Sequence, residues 1–172
     1  MTDATQPSVG DTRARAPKPR GADDRRRMRS AARFFAVQAL FQMEAGDQTA
    51  EKVIQEFSDH RFGERFEDYE MAEADLGRFR RLVSEAVNLQ AQIDQMTDRA
   101  LVEKWPISRI DPTLRALFRA AGAELTEATT PPKVVIVEYV DVARAFFPEG
   151  REPKFVNAVL DHMAREAQPD AF

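Results

Sequence analysis

Residues 25–42, RRRMRSAARFFAVQALFQ, carry an arginine cluster without a break into the pattern of an amphipathic helix. Phe34, Val37, Leu40 and Phe41 recur at the spacing of one helical face, so this stretch offers an apolar stripe to a core. Continued backward as helix, Arg26, Arg29 and Arg33 fall at i, i+3 and i+7 and share one side. A charge run that is merely a solvated tail has no reason to keep helical phase. The junction therefore predicts a cationic arm fixed to a helical body, its guanidinium groups placed where phosphates are neutralised.

Charge along the chain supports that division. Residues 1–33 hold nine Arg or Lys against four Asp, a formal +5, whereas the remaining residues hold 16 basic and 25 acidic side chains, a formal −9. The net charge of −4 hides a basic end on an acidic body. Association follows the local field, because salt screens charges beyond about 8 Å.

A length of 172 residues predicts one domain preceded by a tail. The chain has no cysteine, which excludes disulfides, thiolate zinc sites and a cysteine nucleophile, and fits a cytoplasmic protein. The first residues lack the apolar run of a secretion signal, and no window approaches the roughly 18 apolar residues of a membrane span. A soluble, cytoplasmic protein with no membrane partner is the expectation.

Residues 1–24 contain Pro7, Gly10, Pro17, Pro19 and Gly21 among polar and charged residues. With almost nothing apolar to offset the entropy of ordering, they read as a disordered basic tail ahead of a helical domain over 25–167. Gly46-Asp47 should stop the first helix, and a shorter one should run from Thr49 to Phe57. Ser58 to Asp68 reads as a loop whose aromatics, Phe57, Phe62 and Phe66, touch the body. From Tyr69 to Met96 an apolar stripe predicts one long central helix. Trp105-Pro106 marks a boundary with Trp105 as a buried anchor. Asp111-Pro112 is a cap followed by proline at the first helical position, with Leu114, Leu117, Phe118, Ala121 and Leu125 continuing the face. Thr130-Pro131 repeats that signal. The β-branched Val134 to Val137 suits a strand by propensity, yet Val137, Val140, Ala143, Phe146 and Phe147 keep helical spacing, which favours helix. A last helix should span Pro153 to Glu166 with Phe155, Val156, Val159, Leu160 and Met163 inward. The expected fold is all-α, a compact bundle of about seven helices.

Reactive groups are sparse: no Cys, two histidines (His60 and His162), and no glycine-rich phosphate loop. Glu138 and Asp141 lie three apart, but Arg144 and Lys133 are spaced to neutralise them. His162 beside Asp161 lacks further ligands at suitable spacing and reads as a surface residue. No catalytic or metal site and no cofactor is expected. Lys154-Phe155 pairs a cation with an aromatic, suited to holding a phosphate and stacking a base, although the spacing of Phe155 with Val159 favours a core residue.

Several blocks in order resemble the bacterial NusB family of transcription antitermination factors: Ala32-Arg33 leading to Ala36 through Gln42, Trp105 to Arg109 with Asp111 and Leu114-Arg115, Glu124-Leu125, Pro132-Lys133-Val134 to Glu138, and Lys154 through Asp161. They span residues 29 to 163, and the last is the most specific. The resemblance implies an all-helical fold of two small subdomains. It implies pairing with the small-subunit ribosomal protein NusE, binding of single-stranded boxA RNA in ribosomal RNA leaders, and action with NusA and NusG on RNA polymerase, without catalysis. It assigns RNA contacts to Arg29 and Arg33, with Arg25, Arg26 and Arg27 upstream, and to Lys154 and Phe155. Arg119 would lie near the RNA or bridge to an acid. Phe41 stands where many members have tyrosine on the partner-binding face, the face through which some members form homodimers. Gly150-Arg151-Glu152 departs from the often acidic family loop, so Arg151 either strengthens RNA binding or is solvated. The alternative is a NusB-like domain of the kind that fronts RNA cytosine methyltransferases; a catalytic domain with its cysteine would then follow, and the chain shows none before Phe172.

Overall fold

A computed structural model describes residues 21–62, 65–66, 69–70, 74–101 and 105–172, so most of the expected tail lies outside the described residues. Seven α-helices are described: α1 (Ala22–Gly46), α2 (Ala50–Glu56), α3 (Leu76–Asn88), α4 (Gln90–Ala100), α5 (Pro112–Glu127), α6 (Pro132–Phe146) and α7 (Glu152–Ala167). The all-α class holds; the described strands are β1 (Arg65–Phe66) and β2 (Tyr69–Glu70), an antiparallel ladder of two residues each.

α1 begins at Ala22, so the arginine cluster is helical from its first residue and the expected tail boundary at residue 24 falls inside the helix. It ends where Asp47 turns left-handed (φ 50), a conformation that aspartate tolerates better than most residues. Thr49 caps α2 by accepting the Lys52 N–H. The expected loop from Ser58 is instead a π-helical turn over Phe57–Arg61 that buries Phe57. Phe57 and Phe62 both pack on the fully buried Phe79 ring. The Phe66 side chain lies outside the described residues.

The expected helix from Tyr69 to Met96 does not begin at Tyr69, which lies in β2, but at Leu76, and it is two helices joined at Leu89, whose φ of −104 and ψ of 13 are not helical. A one-residue break leaves the apolar phase almost intact, which is why the stripe reads as continuous. The physical reason for the break is a change of neighbour: α3 packs on α1 and α5, whereas α4 packs on α5 and α7. The central position belongs to α5, which touches α1, α3, α4, α6 and α7. Its Asp111 Oδ1 accepts the Thr113 N–H, and proline occupies the first turn as expected.

Trp105 is 59 % exposed, not the buried anchor expected. α6 confirms helix over Val134 to Val137, but it starts one residue later than expected, with Pro131 at the cap position and no side-chain cap. Val137 is 61 % exposed, because the buried face runs through Val135, Ile136, Tyr139, Val140, Val142 and Ala143. α7 buries Val156, Val159, Leu160 and Met163 as expected.

Helices approach α5 closely because it carries Ala116, Ala120, Ala121, Gly122 and Ala123 in sequence with its larger apolar residues. A Cβ on Gly122 would stand 2.4 Å from Ile93 Cγ2 of α4. Gly122→Ala should therefore destabilise the fold by about 1–3 kcal/mol in urea denaturation, despite the higher helix propensity of alanine.

Candidate nucleic-acid interface

Arg25, Arg26 and Arg27 project from the first turns of α1 and are exposed, and Arg29 is half-buried. Among the described residues, Arg26, Arg27 and Arg29 enter no ion pair. Asp23 and Asp24 occupy the first helical turn, where carboxylates offset the positive end of the helix dipole.

Arg33 continues this stripe but departs from the expected role. It is 2 % exposed and grips Glu124 of α5 with two prongs, Nη2 to Oε1 at 2.7 Å and Nε to Oε2 at 3.0 Å. Tyr139 Oη donates to Glu124 Oε2 at 3.0 Å, and Arg78 Nη1 donates to Oε1 at 3.1 Å. Arg33 Nη1 also lies 3.5 Å from Glu138 Oε2, which accepts a hydrogen bond from Ser30 Oγ at 2.8 Å. Four helices thus meet in one polar network inside an apolar core. Burial by itself would raise the Glu124 carboxyl; hydrogen bonding and charge from Arg33, then Tyr139 and Arg78, outweigh it and hold the carboxyl below its ordinary range. Burial, then the Glu124 charge, pushes the Tyr139 hydroxyl well above the usual tyrosine value, so it stays a donor. Arg33 is a structural cation, withdrawn from any phosphate.

The same network corrects the reading of Glu138, whose partners are Ser30 and Arg33 of α1 rather than Arg144 or Lys133. Arg144 pairs with Asp141 at 2.8 Å on the surface. Arg119 bridges to acids: Nε and Nη2 hold Asp94 at 3.0 and 2.9 Å, and Nη1 reaches Glu44 at 3.1 Å. Arg115, buried in the α5 face, also grips Glu44. Glu124 and Arg115 are both buried charges, bound to Arg33 and Glu44 respectively. Their signal in the sequence is their place among the apolar residues of α5, where a charge survives only with a partner.

Lys154 is exposed on the first turn of α7. Phe155, 36 % exposed, sets its ring edge-on to Phe118 of α5 with centroids 6.0 Å apart, so it is held by the core while part of the ring stays open. Phe41 is 40 % exposed and, with Val37, Gln38, Gln42, Phe57 and Phe146, lines a cleft of about 620 Å³. His60 and His162 are exposed. Among the described residues no group of three or more His, Asp or Glu is arranged to hold a metal, and no described helix is long and apolar enough to cross a membrane.

The NusB family profile matches residues 30–165 of this chain. The chain belongs to the NusB family. The transcription antitermination protein NusB of Maricaulis maris is 49 % identical over 160 residues, covering 92 % of this chain and 99 % of that protein. The NusB protein of Agrobacterium fabrum is 46 % identical and covers 83 % of this chain and 87 % of its own length. A solved structure of NusB from T. maritima superposes with a TM-score of 0.66 at 29 % identity, covering 83 % of this chain and 95 % of that one. The same fold, at 23 % identity and a TM-score of 0.68, occurs in a complex of the antitermination factors NusB and NusE with dsRNA, covering 81 % of this chain and 98 % of that one. By family, the protein is a transcription antitermination factor.

Because Glu124 titrates below its ordinary value of 4.5, its stabilisation is whole above that pH and is lost as the pH falls through the lower folded value. Glu124→Gln should flatten this acid limb and cost about 3–5 kcal/mol at neutral pH, since buried Arg33 loses its two-pronged counter-charge and keeps only Glu138 at 3.5 Å. Denaturant midpoints measured across pH for both proteins check it; parallel acid limbs would exclude Glu124 as the titrating group.

Proposed function

We propose that the protein holds single-stranded boxA RNA of nascent ribosomal RNA transcripts together with the ribosomal protein NusE, and that RNA polymerase, modified with NusA and NusG as well, then reads through terminators. The observation that carries this is the state of the α1 stripe: Arg33 is spent on Glu124, while among the described residues Arg26, Arg27 and Arg29 enter no ion pair. Arg25 stands exposed on the same turns. These guanidinium groups contact phosphates, and Lys154 adds a cation at the start of α7. The open part of the Phe155 ring offers a stacking face to a base. Arg119 contributes through the fold, since Asp94 and Glu44 already occupy its donors.

NusE docks on the face that carries Phe41, whose ring is exposed beside an apolar cleft and supplies contact area without a hydroxyl. The helical domain, residues 25–167, acts as an adaptor in the cytoplasm and catalyses no reaction. Arg151 is exposed next to Lys154 and adds positive charge to that end of the RNA path.

Titration of fluorescent boxA RNA and a scrambled control, with and without NusE, tests this reading. Preference for boxA that grows with NusE supports it; equal affinity for both RNAs under all conditions refutes it. Neutralising about four phosphates should give a log–log salt slope near −3, reduced by about 0.7 for each of Arg26→Ala and Arg29→Ala. Phe41→Ala should weaken NusE binding roughly tenfold by calorimetry, about 1.4 kcal/mol, with the thermal midpoint unchanged.

A further inference from the structure

The head of α1 is fastened to the body at three successive points. The Asp75 N–H at the start of α3 donates to Met28 O at 3.0 Å, Ser30 Oγ donates to Glu138 of α6 at 2.8 Å, and Arg33 grips Glu124 of α5. Each tie comes from a different helix, so together they fix the rotation of α1 about its own axis as well as its tilt. Apolar packing fixes rotation poorly, because dispersion contacts are non-directional, whereas a two-pronged guanidinium–carboxylate pair tolerates little angular error.

Arg29 and Arg26 lie one and two turns before Arg33 on the same side of the helix. Whatever sets the azimuth of Arg33 therefore sets theirs. A helical side chain reaches roughly 6 Å from the axis, so a rotation of about 20° sweeps its tip by about 2 Å, more than a hydrogen bond allows. We propose that Arg33 and Glu124, assisted by Ser30 and Glu138, are positioning residues that aim Arg26 and Arg29 at consecutive RNA phosphates. The inference rests on the RNA-binding reading above. Arg33 acts on RNA without touching it: the core pair is the rotational reference for the surface charges.

A double-mutant cycle tests it. Arg33→Lys keeps the charge and loses the two-pronged grip; Ser30→Ala removes only the hydrogen bond to Glu138 and spares the core. Each is made in the native chain and in an Arg26→Ala/Arg29→Ala background, and affinity for fluorescent boxA RNA is measured alongside thermal melts that establish folding. Arg33→Lys should weaken binding five- to tenfold and Ser30→Ala two- to threefold in the native chain. Both losses should shrink to less than about twofold where Arg26 and Arg29 are already absent. Equal losses in the two backgrounds would mean that the core pair does not act through these arginines, and would overturn the proposal. An unchanged affinity of the Arg26→Ala/Arg29→Ala chain itself would instead remove the RNA-contacting role of the arginines. The two failures are thus distinguishable.

Discussion

The buried pair between Arg33 and Glu124 is the constraint on which the arrangement of the helices depends. An ionised carboxylate in an apolar interior carries a large desolvation cost unless charge and hydrogen bonds surround it. Here two prongs from α1, an arginine from α3 and a tyrosine hydroxyl from α6 converge on one carboxylate of α5. Apolar side chains alone tolerate a range of crossing angles, but this network is satisfied in one arrangement of four helices. Its value lies in specificity of assembly more than in net stability.

Around that point the core is organised by α5. The helix is buried on nearly every side, and its run of alanines with Gly122 lets neighbours approach at short distance. Larger groups fill the periphery: Phe57, Phe62 and Phe79 close the side formed by α2 and α3, and Phe118 backs Phe155 near the start of α7. Small residues at the centre and rings at the rim give a fold in which surface positions inherit rigidity from the core. Phe155 shows the result, since its ring is braced edge-on against Phe118 while part of it stays open.

Charges divide between two tasks. Arg33, Arg78, Arg115 and Arg119 all bind carboxylates across helices, so four arginines that look basic in the sequence are neutralised within the fold. Among the described residues Arg26, Arg27 and Arg29 enter no ion pair. The local field at the head of α1 is therefore positive although the chain is acidic overall. Phe41 lies three turns of α1 from Arg29, which separates an exposed ring beside a cleft from the arginine stripe along a single helix.

Periodicity and caps together determined the helical class, the register and start of α5 and most of the inward face of α7, because caps and three-to-four spacing are local properties written in adjacent residues; in α1 the expected face held at Val37 and Leu40 but not at Phe41, which is exposed, whereas Phe35 is buried. The order of the motif blocks identified the family, since spacing between blocks survives where single residues do not. Tertiary structure decided the rest. Arg33 and Arg29 are one turn apart and indistinguishable by type or phase, yet one is buried and the other half-exposed, because only Arg33 is level with Glu124. Trp105 and Val137 look like core residues by hydropathy, but whether an apolar side chain is covered depends on which helix passes over it. The break at Leu89 arises from a change of packing partner rather than from a breaker residue. A sequence states which groups seek partners; only the packed chain settles which partners come within reach.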